Sequence, residues 1–241
     1  MSIATIVSRE EAERHAAAEI AAGLTAAIQE RGRATLALPG GRSIAGVLAH
    51  LRAHPLRWEV VTVIPADERV LPLDDPDRNW SVIERELIAP LKERGAKGRT
   101  HAMRGEHAIT FPYAPEASDW GVAGFERAIN LPRTAEGVLT IDVIALGAGE
   151  DGHVASLFPG SPLLESEHPG YLRVDNSPKP PPRRITVSPR MIRACGLAVV
   201  LFLGEAKADA LRAFTTGGTD VSRCPALLAL GARRLVVCAG F

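Results

Sequence analysis

The stretch "LTIDVIALGAGEDGHVASLFPG", residues 139–160, decides the fold of this chain. It opens with an apolar run that is typical of a buried strand and then breaks into glycines at positions 147, 149 and 152. These glycines spell G-x-G-x-x-G, the pattern of a dinucleotide-binding loop. The alternative is a tight turn that presents Asp151 and His153 at the end of the strand.

The residues that follow do not suit a dinucleotide. That fold needs a helix after the last glycine and a second parallel strand that ends in an acid about 20 residues further on. Pro159 and Pro162 interrupt any such helix, and the acid at that distance, Asp175, leads into "NSPKPPP". A P-loop is excluded because His153 and Val154 stand where Lys and Ser/Thr are required.

We therefore expect the glycine turn to present Asp151 and His153 for chemistry. An imidazole titrates near neutral pH and can take a proton from water, and a neighbouring carboxylate can orient it. The alternative is a helix-capping aspartate beside a structural histidine. A metal site is less well supported, because the rest of a ligand set has no visible motif.

Four further apolar runs predict strands, namely "ATLAL", "WEVVTVI", "CGLAVVLFL" and "RRLVVC". Helices are predicted at residues 9–30 behind the capping box of Ser8 and Glu11, at "SIAGVLAHL", at "WSVIERELIAPL" as far as Pro90, around residues 115–129 and at "EAKADALRAF". Continuous apolar strands that alternate with helices favour an α/β fold, with a mostly parallel, Rossmann-like sheet covered by helices on both faces. We expect a single domain over residues 1–241.

Composition limits the class of partner. The chain has 28 basic and 28 acidic residues and no basic run, so we expect no nucleic-acid binding. The three cysteines lack metal-type spacing, which is typical of a reducing compartment. Charges near the N-terminus argue against a signal peptide, and no apolar run is long enough to span a membrane. We expect a cytoplasmic protein, as a monomer or weak homo-oligomer.

Loops after the strands carry the candidate binding residues, since ligands of such sheets bind beyond the carboxyl ends of the strands. In "LPGGRS", Gly40 and Gly41 allow close backbone approach to an anion, and Arg42 and Ser43 add a charge and a hydroxyl. The alternative is an ordinary strand-to-helix turn.

The loop "IPADERV" follows the second strand. There, Asp67 is a candidate for accepting hydrogen bonds from sugar hydroxyls, and Arg69 for steadying an oxyanion. A solvated turn whose charges pair among themselves is the alternative. In "SPKPPPRRIT", a stiff proline run would hold Lys179 and Arg184 at the spacing that a phosphate needs, unless the run is a polyproline linker or docking segment.

Four blocks, "LPGGRS", "ADERVLPLDDPDRNW", "LGAGEDGHVASLFPGS" and "SPKPPPRRIT", resemble those of the 6-phosphogluconolactonases in order and spacing. These enzymes share a superfamily with the glucosamine-6-phosphate isomerases/deaminases. The resemblance implies a sugar-phosphate isomerase-like fold and hydrolysis of 6-phospho-D-glucono-1,5-lactone to 6-phosphogluconate, the second step of the pentose phosphate pathway. It also implies that neither a metal nor an organic cofactor is needed.

The resemblance also assigns roles to individual residues. His153 would be the general base and Arg69 the oxyanion stabiliser, while Asp67 and Asp151 would orient hydroxyls or the base. The 6-phosphate would be held by Gly40, Gly41, Ser43, Lys179 and Arg184. This chain departs from the family at Arg42, Ser43 and Ile44, where the family usually has Ser-Thr-Pro, and at Arg78, where it often has Ser.

Two alternative functions stay open at this point. An amino-sugar-phosphate deaminase/isomerase also carries Asp-Gly-His in a glycine loop, but its pattern has an acid soon after the histidine, and "DGHVASLFPG" has none. A sugar-phosphate-binding regulator without catalysis would keep the phosphate cations, but it would have no need for His153, Asp151 and Arg69 together.

Overall fold

Eight strands form two sheets in the computed structural model, which describes residues 7–41, 43–96, 103, 105–216 and 219–241. The strands are β1 (Ala34–Leu38), β2 (Val61–Pro65), β3 (Asp67–Arg69), β4 (Val143–Gly147), β5 (Tyr171–Val174), β6 (Arg184–Val187), β7 (Leu197–Leu203) and β8 (Arg234–Gly240). The larger sheet has the order β2-β1-β4-β7-β8, and all its pairings are parallel. Its five strands are the five predicted from apolar runs, and the α/β prediction is confirmed.

The second sheet is antiparallel, with the order β3-β6-β5. The prediction was wrong here, because Asp67 and Arg69 belong to a strand and not to a loop. Asp67 pairs with Thr186, and Arg69 pairs with Arg184. The last residues of the proline-rich segment are therefore a strand as well.

Ala66 joins the two sheets. Its N–H donates to the carbonyl of Leu38 in β1 at 2.7 Å, and its own carbonyl accepts from the N–H of Val187 in β6 at 2.9 Å. The chain thus passes from β2 into β3 through a residue that is hydrogen-bonded to both sheets.

Helices cover the larger sheet. They are α1 (Arg9–Arg31), α2 (Ile44–Leu51), α3 (Asn79–Ile83), α4 (Ala89–Ala96), α5 (Val122–Ile129), α6 (Pro189–Ala194) and α7 (Ala208–Thr215). The capping box predicted for α1 is present: the Ser8 hydroxyl accepts from the N–H of Glu11, whose side chain accepts from the N–H of Ser8. Within the described ranges, no helix combines the length and apolar character needed to cross a membrane.

Two helix boundaries differ from prediction. The helix expected to end at Pro90 continues to Ala96 through a π-helical segment, Glu84–Ile88. Pro90 has no N–H to donate to the carbonyl of Glu86, and that carbonyl accepts instead from Arg52 Nη1 at 2.9 Å. The helix expected around residues 115–129 begins only at Val122, because the preceding residues have positive φ, as in Gly121 at 89°.

The core lies on both faces of the larger sheet, as predicted. Alternate residues of β7 enter two different apolar clusters. Val199 and Leu201 pack with the α1 side chains Ile20 and Leu24 on one face, and Phe202 packs on the other face. A sheet buried on both sides needs continuous apolar strands, which is why the sequence reads that way.

The strand order also locates a crevice. From β1 the sheet extends to β2 in one direction and to β4 in the other, so the chain reverses its winding direction between β1 and β4. At such a point the loops after the two strands separate and leave a crevice at the carboxyl edge. These loops are the first and the third of the candidate loops above.

Candidate active site

A cleft of about 180 Å³ lies at this crevice. Its walls include predicted site residues from all the blocks, namely Gly40, Gly41, Ser43, Asp67, Arg69, His153 and Arg184. Asp151 and Lys179 contact His153 beside the cleft. Of the predicted site residues, Arg42 lies outside the described residues.

His153 and Asp151 form a close pair. The imidazole Nδ1 lies 2.5 Å from Oδ1 of Asp151. Because an ionised carboxylate only accepts hydrogen bonds, Nδ1 carries the hydrogen and Nε2 carries the lone pair. No described part of the chain makes a hydrogen bond to Nε2. The ring is thus in the tautomer that can take a proton from a bound water.

The surroundings of His153 keep it neutral. Its side chain is 16% exposed. Burial lowers the pKa of His153 below its usual value, and this effect outweighs the hydrogen bond and charge of Asp151, which act to raise it. The Lys179 ammonium lowers the pKa further. A neutral imidazole near pH 7 is what a general base requires.

Lys179 is placed beside the same pair. Its Nζ lies 3.5 Å from Oδ2 of Asp151 and 3.4 Å from Nδ1 of His153. Burial raises the pKa of Asp151, but the hydrogen bond and charge of His153 together with the charge of Lys179 outweigh it, and the pKa lies below its usual value. Asp151 therefore stays ionised and able to hold the imidazole.

Two glycines of this loop stand where a side chain would not fit. A Cβ on Gly149 would lie 2.0 Å from His153 Nδ1, and one on Gly152 would lie 2.9 Å from Cys224 Sγ. The loop closes by hydrogen bonds from Gly149 N to the His153 carbonyl at 2.8 Å and from Gly152 N to the Gly149 carbonyl at 3.1 Å. No helix follows Gly152 directly, so the turn interpretation is correct and the dinucleotide pattern is coincidental.

Asp67 is held by three neighbours. Asn79 Nδ2 donates to its Oδ1 at 3.0 Å, the Ser156 hydroxyl donates to its Oδ2 at 2.6 Å, and Arg184 Nη1 lies 4.0 Å from Oδ2. The residue is buried. Its carboxylate is therefore fixed at the wall of the cleft. Asn79 and Ser156 were not predicted as site residues.

The two predicted arginines differ in what they bind. Arg69 donates from Nη1 to the carbonyl of Asp77, and its Nε has no hydrogen-bond partner among the described residues. Arg184 donates from Nη2 to the carbonyls of Lys179 and Pro180, and from Nε to that of Pro181. Arg184 thus stabilises the proline-rich segment. In the described part of the chain, it has fewer side-chain N–H groups without a hydrogen-bond partner than Arg69 has.

The glycine loop after β1 packs tightly. A Cβ on Gly40 would lie 2.1 Å from Oδ1 of Asn79, and Gly41 has φ of +88°, which favours glycine. Ser43 precedes α2, but its side chain makes no capping hydrogen bond. Its hydroxyl and the free N–H groups of the first helical turn are available to an anion.

Lys207 is a further candidate site residue that was not predicted from the sequence. It lines the cleft and precedes α7, and its Nζ lies 3.9 Å from Glu150. Burial lowers its pKa, and the charge of Glu150 partly offsets that effect. Nothing in "GEAKADAL" marks this lysine, since a lysine near the start of a helix is ordinarily solvated.

Comparisons with a family model and with curated proteins identify the family of this chain. A model of the family described as glucosamine-6-phosphate isomerases/6-phosphogluconolactonase matches residues 7–237. The 6-phosphogluconolactonase of Streptomyces coelicolor is 35% identical over 227 residues, which are 91% of this chain and 84% of that protein. The 6-phosphogluconolactonase of Pseudomonas aeruginosa is 35% identical over 212 residues, 86% of this chain and 82% of that protein.

Solved structures have the same architecture. The crystal structure of a 6-phosphogluconolactonase from Shewanella baltica superposes with a TM-score of 0.77 at 25% identity. The match covers 97% of this chain and 97% of that one. The resemblance read from the four sequence blocks is thereby confirmed at the level of family and fold.

Proposed function

This chain belongs to the glucosamine-6-phosphate isomerase/6-phosphogluconolactonase family, and on that premise we propose that it hydrolyses 6-phospho-D-glucono-1,5-lactone to 6-phospho-D-gluconate. The reaction would serve as the second step of the pentose phosphate pathway. The observation that carries the proposal is the Asp151–His153 pair at 2.5 Å beside a cleft lined by Asp67, Arg69 and Lys207.

His153 acts as the general base in this proposal. Water bound at Nε2 loses a proton to the imidazole as its oxygen attacks C1 of the lactone. Asp151 holds the ring and stabilises the imidazolium that forms. Arg69 stabilises the negative charge that develops on the carbonyl oxygen.

Collapse of the tetrahedral intermediate completes the reaction. The bond between C1 and the ring oxygen breaks, and that oxygen takes the proton from Nε2 of His153 to become the hydroxyl on C5. The new carboxylic acid then ionises. One water is consumed, one proton is released, and the imidazole returns to its neutral form.

The 6-phosphate would bind among the cations and the glycine loop. Gly40, Gly41 and Ser43 offer backbone N–H groups and a hydroxyl at the start of α2. Lys179, Arg184 and Lys207 add positive charge. Arg42 stands between Gly41 and Ser43 in the glycine loop. Asp67, whose orientation is fixed by Asn79 and Ser156, would accept hydrogen bonds from sugar hydroxyls.

The sequence after His153 favours the lactonase over the amino-sugar-phosphate isomerase of the same family. The deaminase pattern places an acid soon after the histidine. Here Val154, Ala155 and Ser156 follow, and Ser156 Oγ donates to Asp67. We therefore expect no release of ammonia from glucosamine 6-phosphate.

The test is a coupled assay with freshly generated 6-phosphogluconolactone, in which product is followed with a 6-phosphogluconate dehydrogenase. The spontaneous rate is subtracted, since the lactone also hydrolyses unaided. We expect a catalysed rate that a chelator leaves unchanged and that falls sharply with unphosphorylated gluconolactone. No rate above the spontaneous one would refute the proposal.

A further inference from the structure

We propose that Glu68 is a positioning residue of the hydrolysis, and that it holds Asp67 and Arg69 in their working places. The inference rests on the proposed function. Glu68 lies between these two residues in β3, where successive side chains point to opposite faces. Asp67 and Arg69 line the cleft, whereas Glu68 faces away from it and is 1% exposed.

The Glu68 carboxylate gathers hydrogen-bond donors from two segments. Its Oε1 accepts from the N–H of Arg69 at 2.7 Å and from the N–H of Asn79 at 2.7 Å. Its Oε2 accepts from the N–H of Trp80 at 3.0 Å and lies 3.4 Å from Nε of Arg78. All these neighbours are donors, so the site requires an ionised carboxylate, which only accepts.

This arrangement fixes the start of α3 against β3. Arg78 stands at the N-cap position of α3, and its side chain makes no capping bond there. The first N–H groups of a helix have no partner within the helix, and two of them in α3, those of Asn79 and Trp80, are bound by Glu68 from β3. The Glu68 carboxylate therefore helps to set the register between helix and strand.

The first consequence of this register concerns Asp67. Asn79 is the first residue of α3, and its Nδ2 donates to the carbonyl of Asp67 at 2.9 Å and to its Oδ1 at 3.0 Å. Holding the backbone of Asn79 therefore holds the side chain that orients Asp67. Glu68 acts on Asp67 through Asn79.

The second consequence concerns Arg69. Glu68 binds its backbone N–H directly, and it also lies beside the buried guanidinium of Arg78. Arg78 ties both ends of the connecting loop, since its Nη1 donates to the carbonyl of Leu71 at 2.9 Å. The same loop supplies the Asp77 carbonyl that accepts from Arg69 Nη1. Glu68 therefore positions Arg69 at two points: directly at its backbone N–H, and through Arg78 and the connecting loop at its guanidinium.

The test is Glu68→Gln in the coupled lactonase assay. Replacing one oxygen by an NH₂ group sets donor against donor, and displacement of the cleft residues should lower kcat by about tenfold to hundredfold. KM should rise less than kcat falls, because displacement of Asp67 weakens only the contacts to sugar hydroxyls and the phosphate contacts lie elsewhere. A kcat within about twofold of wild type would overturn the proposal.

A double-mutant cycle with Arg69→Ala separates positioning from general destabilisation. If Glu68 acts through Arg69, Glu68→Gln should cost much less in the Arg69→Ala background than in the wild type. Effects that multiply fully would refute a role through Arg69. Glu126→Gln is the matched control: Glu126 is a partly buried carboxylate that accepts the N–H of Tyr171 at 2.7 Å, and its replacement should lower stability but not kcat.

A second variant covers a failure of Glu68→Gln to fold. Glu68→Asp keeps the charge but is too short to reach both Arg69 and the start of α3, so the same fall in kcat and the same cycle are expected. Wild-type enzyme with no catalysed rate would refute the proposed function and this inference together. Active wild type with unimpaired Glu68 variants would refute the inference alone.

Discussion

Gly149 and His153 are so close that a methyl group on the glycine would occupy the place of the imidazole. The built Cβ lies 2.0 Å from Nδ1 of His153 and 2.5 Å from Oδ1 of Asp151. Non-bonded carbon and nitrogen atoms do not approach to such distances, so either the loop or the pair must move. The contact between Asp151 and His153 therefore requires glycine at position 149.

Gly149→Ala should impair activity with little loss of folding. Its φ is not in the left-handed region, so alanine is tolerated by the backbone, and the cost falls on the Asp151–His153 contact. We expect kcat to fall toward that of His153→Ala. Gly105→Ala is the control, because a Cβ there has no atom within 4 Å. A fully active Gly149→Ala would contradict the role proposed for the Asp151–His153 contact.

His153→Ala should remove general-base catalysis. A positioned base contributes about 10²–10⁴-fold, so kcat should fall by that factor while the variant keeps its fold by circular dichroism. Substrate binding should change much less, since the phosphate contacts are elsewhere. Full activity of this variant in the coupled assay would refute the mechanism.

The pH dependence should identify His153. The base works only when neutral, so kcat/KM should fall as pH drops through its pKa, which burial places below the usual 6.5. Lys179→Met removes a charge that lowers this pKa, so the acid limb should move to higher pH. Asp151→Asn removes the partner that raises it, so the limb should move to lower pH, with a lower kcat.

The opposite directions of these two shifts are the diagnostic result. Lys92→Met is the control for a lost surface charge, because Lys92 is about as exposed as Lys179 but pairs with Glu84, and neither residue lines the cleft. Its profile should coincide with that of the wild type. Shifts of the same sign in both site variants would exclude His153 as the titrating group.

The cations of the cleft should affect substrate binding. Measured above the acid limb, Lys179→Ala should raise KM by more than it lowers kcat, if Lys179 anchors the phosphate. Lys207→Ala should do the same, since Lys207 lines the cleft. Unphosphorylated gluconolactone should be insensitive to both changes. An effect of Lys179→Ala confined to kcat would instead assign that residue to the Asp151–His153 pair alone.

Local patterns were sufficient to predict the larger sheet and its main helices. The strands are continuous apolar runs because both faces of the sheet are buried, and α1 carries its own start signal in Ser8 and Glu11. The position of His153 on a loop after β4 follows from the same reasoning. These features depend on neighbours within a few residues, which a sequence displays directly.

The second sheet could not be predicted from local sequence patterns. Residues of β3 pair with residues of β6 that are more than 100 positions away, and three residues are too few to show a period. Asn79 and Ser156 likewise resemble ordinary polar residues until the fold brings them to Asp67. Arg184 was predicted from charge alone, which could not show that three backbone carbonyls already occupy its donors.

The hydrogen bonds of Ala66 to both sheets limit the motion of one sheet relative to the other. His153 lies on the loop after β4 of the larger sheet and Arg69 lies in β3 of the smaller one, and a hinge between the sheets would have to break the hydrogen bonds of Ala66 to Leu38 and Val187. Leaving such buried groups unpaired costs about 1–3 kcal/mol each. The two sheets should therefore move as one rigid body, and the free and substrate-bound enzymes should superpose closely over both. The rate-limiting step of turnover would then be the chemical step or diffusion of substrate and product, and not a domain closure.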